Sequence, residues 1–319
     1  MIRALLFTCL VPAACSIKLA TEDADRLVGG TFNKGVQSAN RTKPDVGISL
    51  FWGHHVVKDH TDLPGVVWIV PPPRVPALLG RTTKDITKMH RYSQTGQDDL
   101  LLPVLRKIKD GFFVESGAFD GETHSNTLMY ERNFGWTGLL VEPVKASFDT
   151  IQGRHRNAYL FNGALSPTRD IEKIVFHDKF CAKGSECGSL TAGHSTWSSV
   201  FAPEAVQCVP LQNLLTQIGR RTVDFWSLDI EGSEGEVLQA TDFQWIEVGI
   251  LLIEMNKGNE NNRVIRDVMS RNGFVEVLHW QFDNIFANPK YFAKRGLDMP
   301  DFKKLPTQYE EFQKSRTRK

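Results

Sequence analysis

Glycines and acidic residues with the spacing of a ligand-binding edge occur between residues 112 and 142. The stretch FFVESGAFDGETHSNT begins as an apolar run and changes abruptly at Gly117. Because Gly117 has no Cβ, a ligand can approach the backbone there, and Gly121 relaxes the turn that follows. Glu142 ends the next apolar run 25 residues after Gly117, where a carboxylate accepts hydrogen bonds from ribose hydroxyls. The spacing therefore predicts a nucleoside-containing ligand.

Residue 119 restricts the class of that ligand. The dinucleotide fingerprint G-x-G-x-x-G is absent because Phe119 occupies its middle glycine position, so a pyrophosphate could not lie as close to the backbone. This argues against NAD and FAD. Glu115 adds an acid suited to a cationic amine. The alternative is that the glycines only shape a corner and Glu142 only ends a strand, but their joint spacing favours a ligand.

A second group of acids follows two later apolar runs. Asp229 and Glu231 end the run in WSLDIEGSE, and Glu254 ends the run in LLIEMN. In a parallel sheet these strand ends converge over one cleft, where carboxylates can activate a hydroxyl or hold magnesium or calcium. The alternative is that Asp229 and Glu231 cap the following helix. We favour capping over a metal and predict Asp229, with Glu231 beside it, as the catalytic acids.

The histidines give weaker signals. His124 follows Gly121 by three residues, and His194 lies in a glycine- and serine-rich insertion that could cover an acceptor. His54, His55 and His60 are close together but lack a defined metal-ligand spacing. We interpret all five as surface or loop residues, and no metal site is predicted from them.

The elements that position these residues begin at about residue 90, where apolar runs alternate with segments of helical periodicity. The predicted strands are GFFVESGAF, TGLLVEP, NAYLFNGALS, VDFWSLDIEGSE, EVGILLIEMN and the two halves of FVEVLHWQFDNIFANP. The predicted helices are QDDLLLPVLRKI, HSNTLMYERNFG, VKASFDTIQGRH, LQNLLTQIG, GEVLQATDF and NNRVIRDVMSRNG. This alternation predicts one α/β domain over residues 90–295, a doubly wound, Rossmann-like and mostly parallel sheet. The last two strands follow each other without a helix, which predicts an antiparallel edge strand.

The order of these motifs resembles a known family. VESGAFDG, LLVEP, NGALS and VDFWSLDIEGSE follow one another as in FkbM methyltransferases, and YSQTGQDDLLL and SNT resemble its eukaryotic Star-like branch. The resemblance covers roughly residues 91–288. It implies S-adenosylmethionine as the cofactor. It also implies these positions around the cofactor: Glu115, Gly117, Ala118 and Gly121 at the methionine end, Glu142 at the ribose, and Asn162 to Leu165, including Ala164, near the adenine. The chain departs from the bacterial motif at Phe119, where that motif usually has asparagine.

The resemblance also implies a function. The expected activity is O-methylation of a hydroxyl on a glycan or small metabolite by an S-adenosylmethionine-dependent enzyme. The alternative is a non-catalytic, Star-like binding or escort protein of the secretory pathway that keeps the methyltransferase fold. The 38 basic and 37 acidic residues nearly cancel, so no broad field favours a nucleic-acid partner. The sequence gives no indication of the oligomeric state.

The N-terminal residues resemble a secretory leader. Arg3 precedes an apolar run that ends in the small residues PAACS, which predicts a signal peptide over residues 1–16 and localisation to the endoplasmic reticulum or Golgi lumen, or secretion. No segment is long and apolar enough for a stable membrane span. Residues 17–89 are predicted as a partly irregular extension and residues 296–319 as a tail. In an oxidising compartment Cys181 would pair with Cys187 or Cys208. The sequon at Asn40 fits the same route.

Overall fold

The computed structural model describes residues 4–10, 14–20, 67–73, 85–178, 188–189 and 204–317. The chain divides into two compact units, Met1–Val70 and Pro71–Lys319. In the first unit β1 (Ala4–Leu10) pairs antiparallel with β2 (Ala14–Ala20), and β3 (Ile69–Val70) is a two-residue strand. The predicted leader, residues 1–16, contributes β1 and the first three residues of β2 to this hairpin, and its cleavage stays a prediction. The features predicted at Asn40, His54, His55, His60, Cys181, Cys187 and His194 lie outside the described residues.

Seven strands of the second unit share one large sheet. Their bounds are β4 (Phe112–Ser116), β5 (Thr137–Glu142), β6 (Ala158–Asn162), β11 (Thr222–Leu228), β12 (Glu247–Glu254), β13 (Val275–Trp280) and β14 (Asp283–Ala287). They lie in the order β6-β5-β4-β11-β12-β14-β13. The first five run parallel to one another, whereas β14 runs antiparallel to β12 and β13. The predicted mostly parallel α/β sheet with an antiparallel edge is confirmed.

Helices connect and flank these strands. Their bounds are α1 (Gln97–Leu105), α2 (Leu128–Phe134), α3 (Lys145–Arg154), α4 (Leu211–Gln217), α5 (Glu234–Ala240), α6 (Asn259–Arg271), α7 (Pro289–Lys294) and α8 (Leu305–Thr317). All five residues of β4 and the six central residues of β12 are buried. Since neighbouring side chains of a strand point to opposite faces, the sheet is covered on both faces, as its apolar strands require.

The strand order creates one switch point. After β4 the chain adds β5 and β6 on one side, and it then returns to add β11 and β12 on the other side. The carboxyl ends of β4 and β11 therefore lie side by side, with Leu228 opposite Ser116. In open α/β sheets, ligands bind in the crevice beyond such a point. The predicted site residues at the ends of β4, β5, β11 and β12 share this edge.

A second, smaller sheet replaces part of the predicted third strand. The run NAYLFNGALS forms β6, but the chain leaves the large sheet after Asn162. The next strand, β7 (Ala164–Leu165), pairs with β10 (Glu204–Val209), which also pairs with β8 (Glu172–Asp178) and through it reaches β9 (Gly188–Ser189). Cys208 in β10 is buried and has a free thiol, so the alternative in which it pairs with Cys181 is not what the structure shows.

The segment predicted as a C-terminal tail, residues 296–319, contains α8 over residues 305–317. Near the end of this helix, Arg316 and Gln313 donate to the buried carboxylate of Asp99 at 2.7 and 2.9 Å. Arg91 reaches the same carboxylate at 3.2 Å. The basic C-terminal residues thus supply partners for a buried acid in α1. Within the described ranges, no helix has the length and apolar character needed to cross a membrane.

Candidate functional site

The loop after β4 turns over the end of β5. The N–H groups of Gly117 and Ala118 both donate to the carbonyl oxygen of Val141 at 3.1 Å. The N–H of Phe119 donates to Oε2 of Glu142 at 2.8 Å, and Oε1 of Glu142 accepts from the N–H of Val144 at 2.8 Å. Glu142 is only 5% exposed. Because a carboxylate has about four acceptor positions, it can hold this loop and still accept from ligand hydroxyls.

Phe119 has a left-handed backbone conformation, which is more typical of asparagine than of phenylalanine. Its φ is +49°, in the left-handed region that asparagine enters several times more readily than most residues. The departure from the asparagine of the bacterial motif therefore changes the side chain and leaves the backbone turn in place. Gly121 also has positive φ, +77°, and its N–H donates to the carbonyl oxygen of Ala118 at 2.8 Å. The loop is a tight, internally bonded turn.

Gly117 is required for a reason that sequence analysis did not foresee. Its φ is +82°, and a Cβ built there would lie 1.9 Å from the carbonyl oxygen of Asp229. The group that approaches this glycine is thus the backbone at the end of β11. The prediction that a ligand also approaches the backbone at Gly117 stays a prediction. The close approach brings Asp229 against the loop after β4.

Glu115 lies beneath the loop and contacts its other half. Its Oε2 accepts from the hydroxyls of Ser125 and Thr127 at 2.8 and 2.6 Å, and its Oε1 accepts from the N–H of Asn126 at 2.7 Å. The carboxylate is therefore engaged by protein donors. The Asn126 side chain in turn donates to Oγ of Ser227 on β11 at 2.9 Å. Its own Oδ1 is buried without a hydrogen-bond partner in the described part of the chain.

The buried side chain of Arg156 also contacts the loop after β4. The Arg156 side chain is fully buried, and its Nε donates to Glu131 at 2.6 Å. Its Nη1 donates to the carbonyl oxygen of Gly121, and its Nη2 donates to the hydroxyl of Thr127 at 3.1 Å. The guanidinium also lies 3.9 Å from Glu115. Sequence analysis missed Arg156 because it precedes β6, outside every motif.

The residues predicted near an adenine are divided by the end of β6. Asn162 is half-buried, and its Nδ2 donates to the carbonyl oxygens of Glu142 and Pro143 at 3.0 and 3.3 Å. Ala164 is buried in the smaller sheet, where it packs with Val206 and Cys208. Asn162 is thus placed beside Glu142, whereas Ala164 belongs to an apolar cluster.

The ends of β11 and β12 converge as predicted. One carboxylate oxygen from each of Asp229, Glu231 and Glu254 lies within 4.8 Å of the others. We call these three residues the acidic cluster. Lys257 pairs with Glu231 at 2.7 Å and with Glu254 at 2.9 Å. Sequence analysis missed Lys257, although its position three residues after Glu254 was a visible signal.

The acidic cluster does not cap the helix that follows it. The residue that accepts backbone N–H groups there is Glu234, which bonds Ile230 and Gly232 at 3.1 and 3.0 Å. Among the described residues, no helix N–H donates to Asp229 or Glu231, and Oδ1 of Asp229 is buried without a hydrogen-bond partner. The favoured capping interpretation is therefore not what the structure shows.

Burial changes the acidity of the cluster. Burial, followed by the neighbouring Glu254, raises the pKa of Asp229 well above its ordinary value. Burial also raises the pKa of Glu231, although Lys257 opposes the shift. Asp283, opposite Glu254 on β14, has its pKa raised to about 6 by burial.

His124 is exposed in the loop after β4, which agrees with the interpretation of this histidine as a surface residue.

Comparison with known proteins gives a family match. The profile of the family described as "Methyltransferase FkbM domain" matches residues 115–276, just over half of the 319 residues. No curated protein matches the chain.

Three solved structures illustrate the similarity. Methyltransferase FkbM from Methylobacillus flagellatus KT is 14% identical over 66% of this chain, with a TM-score of 0.41, and this chain spans only 56% of its length. A methyltransferase from Pyrococcus furiosus is 14% identical over 59% of this chain and 79% of its own, with a TM-score of 0.29. A geranyl diphosphate methyltransferase in complex with SAM is 12% identical over 69% of this chain and 79% of its own, also with a TM-score of 0.29.

Proposed function

Because the chain belongs to the FkbM methyltransferase family, we propose that it is an S-adenosylmethionine-dependent methyltransferase whose acceptor is a hydroxyl group on a glycan or small metabolite. The observation that carries this proposal is one sheet edge that holds both the buried carboxylate of Glu142 and the acidic cluster. The Glu142 carboxylate suits the ribose of a nucleoside, and the acidic cluster suits the hydroxyl group of an acceptor. The acceptor class and the placement in a Star-like branch rest on motif resemblance alone.

The donor and acceptor groups at this edge fit the cofactor. Glu142 is a buried carboxylate at the end of the second parallel strand, and such a residue accepts from ribose hydroxyls. Asn126 lies across the β4–β11 boundary with a buried, unpartnered Oδ1, which would accept from the ammonium group of a methionine moiety. We therefore assign the amine end to Asn126, since the predicted residue, Glu115, is engaged by Ser125 and Thr127.

The acidic cluster supplies the chemistry on the acceptor side. S-adenosylmethionine, when bound, provides a methyl group on a sulfonium, which makes the carbon electrophilic. A hydroxyl that accepts this methyl group would lose its proton, and a carboxylate of the acidic cluster would take it. Asp229 and Glu231 suit that proton because burial raises their pKa values, which makes each carboxylate a stronger base.

The cofactor proposal is tested by titrating the full chain with S-adenosylhomocysteine in a calorimeter. Glu142→Ala removes a charged acceptor worth about 1.5–3 kcal/mol, so the affinity should fall by roughly tenfold or more. Since Glu142 also holds two backbone N–H groups, the variant needs a matched control. Asp120→Ala is that control, because Asp120 likewise accepts from two loop N–H groups, at 2.9 and 2.7 Å, but it has no ribose to hold.

Two results decide the proposal. An equal loss of affinity in Glu142→Ala and Asp120→Ala would mean that Glu142 acts only through the loop. Transfer of labelled methyl to extracts of glycans and hydroxylated metabolites tests turnover, and Asp229→Asn should bind the cofactor but transfer poorly. If the wild-type chain neither binds S-adenosylhomocysteine nor labels any acceptor, the enzyme proposal is refuted and a non-catalytic binding role takes its place.

A further inference from the structure

The acidic cluster carries more negative charge than its surroundings neutralise. Asp229, Glu231 and Glu254 contribute three carboxylates whose oxygens lie within 4.8 Å of one another. Lys257 contributes one ammonium group, which pairs with Glu231 and Glu254. With all three carboxylates ionised, as a bound cation requires, the single ammonium group leaves two negative charges in a half-buried space. One divalent cation would neutralise this excess of two negative charges.

Asp229 supplies a second, independent observation. No donor group in the described part of the chain reaches its buried Oδ1, and the side chain that it contacts is the carboxyl of Glu254, a second acceptor. A buried polar atom normally has a partner, because leaving it without one costs free energy. The helix that follows does not provide the partner, since it has no side-chain cap and Glu234 accepts the N–H groups of Ile230 and Gly232 that precede it. Lys257 reaches the other two acids instead.

We propose that the acidic cluster binds one hard divalent cation, such as magnesium, manganese or calcium, between Asp229, Glu231 and Glu254. Carboxylate oxygens are the ligands that these ions prefer. Two oxygens on one ion lie at most twice the ion–oxygen distance apart, about 4.2 Å for magnesium and about 5 Å for calcium. Three oxygens that share one ion lie about 3–4 Å from one another, so the acidic cluster, whose oxygens lie within 4.8 Å of one another, would close by about 1 Å to hold either ion.

Lys257 stays part of this site. With the ion bound, three carboxylates, one ammonium group and one divalent cation balance to zero charge. Lys257 bridges Glu231 and Glu254, and Asn256 donates to Oε1 of Glu254 at 2.8 Å. These contacts orient two of the three ligands before the ion arrives. Outer contacts of this kind fix ligand orientation in metal sites and tune affinity.

The role of the ion rests on the proposed methyl transfer, but its binding does not. A cation at the end of β11 lies beside the loop after β4, because Asp229 contacts Gly117. An acceptor hydroxyl bound to the ion would be held on this side of the cleft with its pKa lowered. Acceptors with two adjacent hydroxyls would chelate the ion and be preferred.

The test is titration of the chelator-treated, dialysed full chain with manganese and with calcium, by calorimetry and by the electron paramagnetic resonance signal of free manganese. We expect one ion per chain. Asp229→Asn and Glu231→Gln should each weaken binding by roughly tenfold or more. Glu260→Gln is the matched control, because Glu260 is a nearby acid on α6 whose side chain is 74% exposed and pairs with Arg263. It should bind like the wild type.

Lys257→Met tests whether the cation of the acidic cluster is a bound metal ion or the Lys257 ammonium group. If the ion binds beside Lys257, the wild type binds manganese and Lys257→Met binds it more tightly. If Lys257→Met binds and the wild type does not, the lysine is itself the cation and the proposal is overturned. Absence of saturable binding by the wild type at millimolar manganese also overturns it. Titration with S-adenosylhomocysteine, with and without chelator, keeps the outcomes distinct: cofactor binding without ion binding refutes the ion site alone.

Discussion

Replacing Arg156 tests whether a buried ion pair holds the loop of the candidate site. The Arg156 guanidinium has no exposed surface and pairs with Glu131 at 2.6 Å. It also donates to Gly121 and Thr127 and lies 3.9 Å from Glu115. Arg156→Met keeps much of the side-chain volume but removes every donor. The glutamates at 115 and 131 then keep their buried charges without the guanidinium.

The magnitude follows from that loss. Removing one partner of a buried ion pair costs about 3–5 kcal/mol, because the other partner remains as an uncompensated charge. In a domain of this size, each kcal/mol lowers the melting temperature by about 2–4 °C. We therefore expect Arg156→Met to melt roughly 6–20 °C below the wild type. Cofactor affinity should fall as well, because the arginine holds the loop through Gly121.

The control lies two residues earlier in the chain. Arg154 pairs with Asp120 at 3.1 Å and with Glu122 at 3.0 Å, but its side chain is 40% exposed. Such surface pairs contribute about 0–1 kcal/mol. Arg154→Met should therefore shift the melting temperature by no more than a few degrees. Scanning calorimetry of both variants, with S-adenosylhomocysteine titration below the transition, provides the measurement.

Two results would refute this reasoning. Equal melting temperatures for Arg156→Met and Arg154→Met would mean that the buried pair contributes no more than a surface pair. A double variant, Arg156→Met with Glu131→Gln, removes both charges and should recover part of the loss, because replacing both partners is much less costly than breaking the pair. If the double variant is less stable than the single one by the full cost of a second deletion, the two groups are not coupled.

Three further predictions concern other parts of the fold. Gly117→Ala should destabilise the chain far more than Gly135→Ala. Both glycines have positive φ, but a Cβ at residue 117 would lie 1.9 Å from a backbone oxygen, whereas a Cβ at residue 135 would meet nothing within 4 Å. Urea unfolding of the two variants measures the difference in stability. Asp99→Asn should speed amide hydrogen exchange in α8, since Asp99 binds two of its side chains, whereas Asp301→Asn, which breaks a surface pair, should leave exchange in that helix unchanged. The folded pKa of Asp283 is raised by burial to about 6 from 3.8, so the native state binds this proton more tightly than the unfolded state. Stability is therefore lost as pH rises from about 4 to 6. Asp283→Asn should gain up to about 3 kcal/mol relative to the wild type at pH 7 and nothing near pH 3, as measured by urea unfolding in chelator across that range.

The elements of the large sheet could be predicted because each one carries its own signal. Runs such as GFFVES and GILLIE are apolar throughout, and a strand buried on both faces requires that pattern. The helices between them have helical periodicity. The acids at the strand ends could be grouped because parallel strands end at one edge, and the structure brings Asp229, Glu231 and Glu254 together there.

The remaining features depend on partners distant in the sequence. Residues 305–317 have a polar composition, and only contact with Asp99, over 200 positions away, shows why they form a docked helix. Arg156 has the appearance of a surface residue until Glu131 is placed beside it. The small sheet depends on pairing between β7 and β10, which are separated by a long insertion. Local periodicity contains none of this information.

Glu115 and Asp229 lie at the same edge of the sheet, but their hydrogen bonds indicate a structural role for Glu115 and a ligand-binding role for Asp229. Both are acids near the ends of adjacent strands, where Glu115 lies opposite Ser227, two residues before Asp229. Glu115 accepts from two hydroxyls and one backbone N–H, so its burial is compensated within the protein. Asp229 is half-buried, but its Oδ1 is fully buried and no donor in the described part of the chain reaches it. An unpaired buried oxygen costs about 1–3 kcal/mol, and strongly perturbed acids of this kind cluster at functional sites. The sequence presents two similar carboxylates, but after folding Glu115 has three protein donors, whereas Asp229 has an oxygen without a donor and another carboxyl, Glu254, beside it. Asp229 is therefore the one that we expect to meet a ligand.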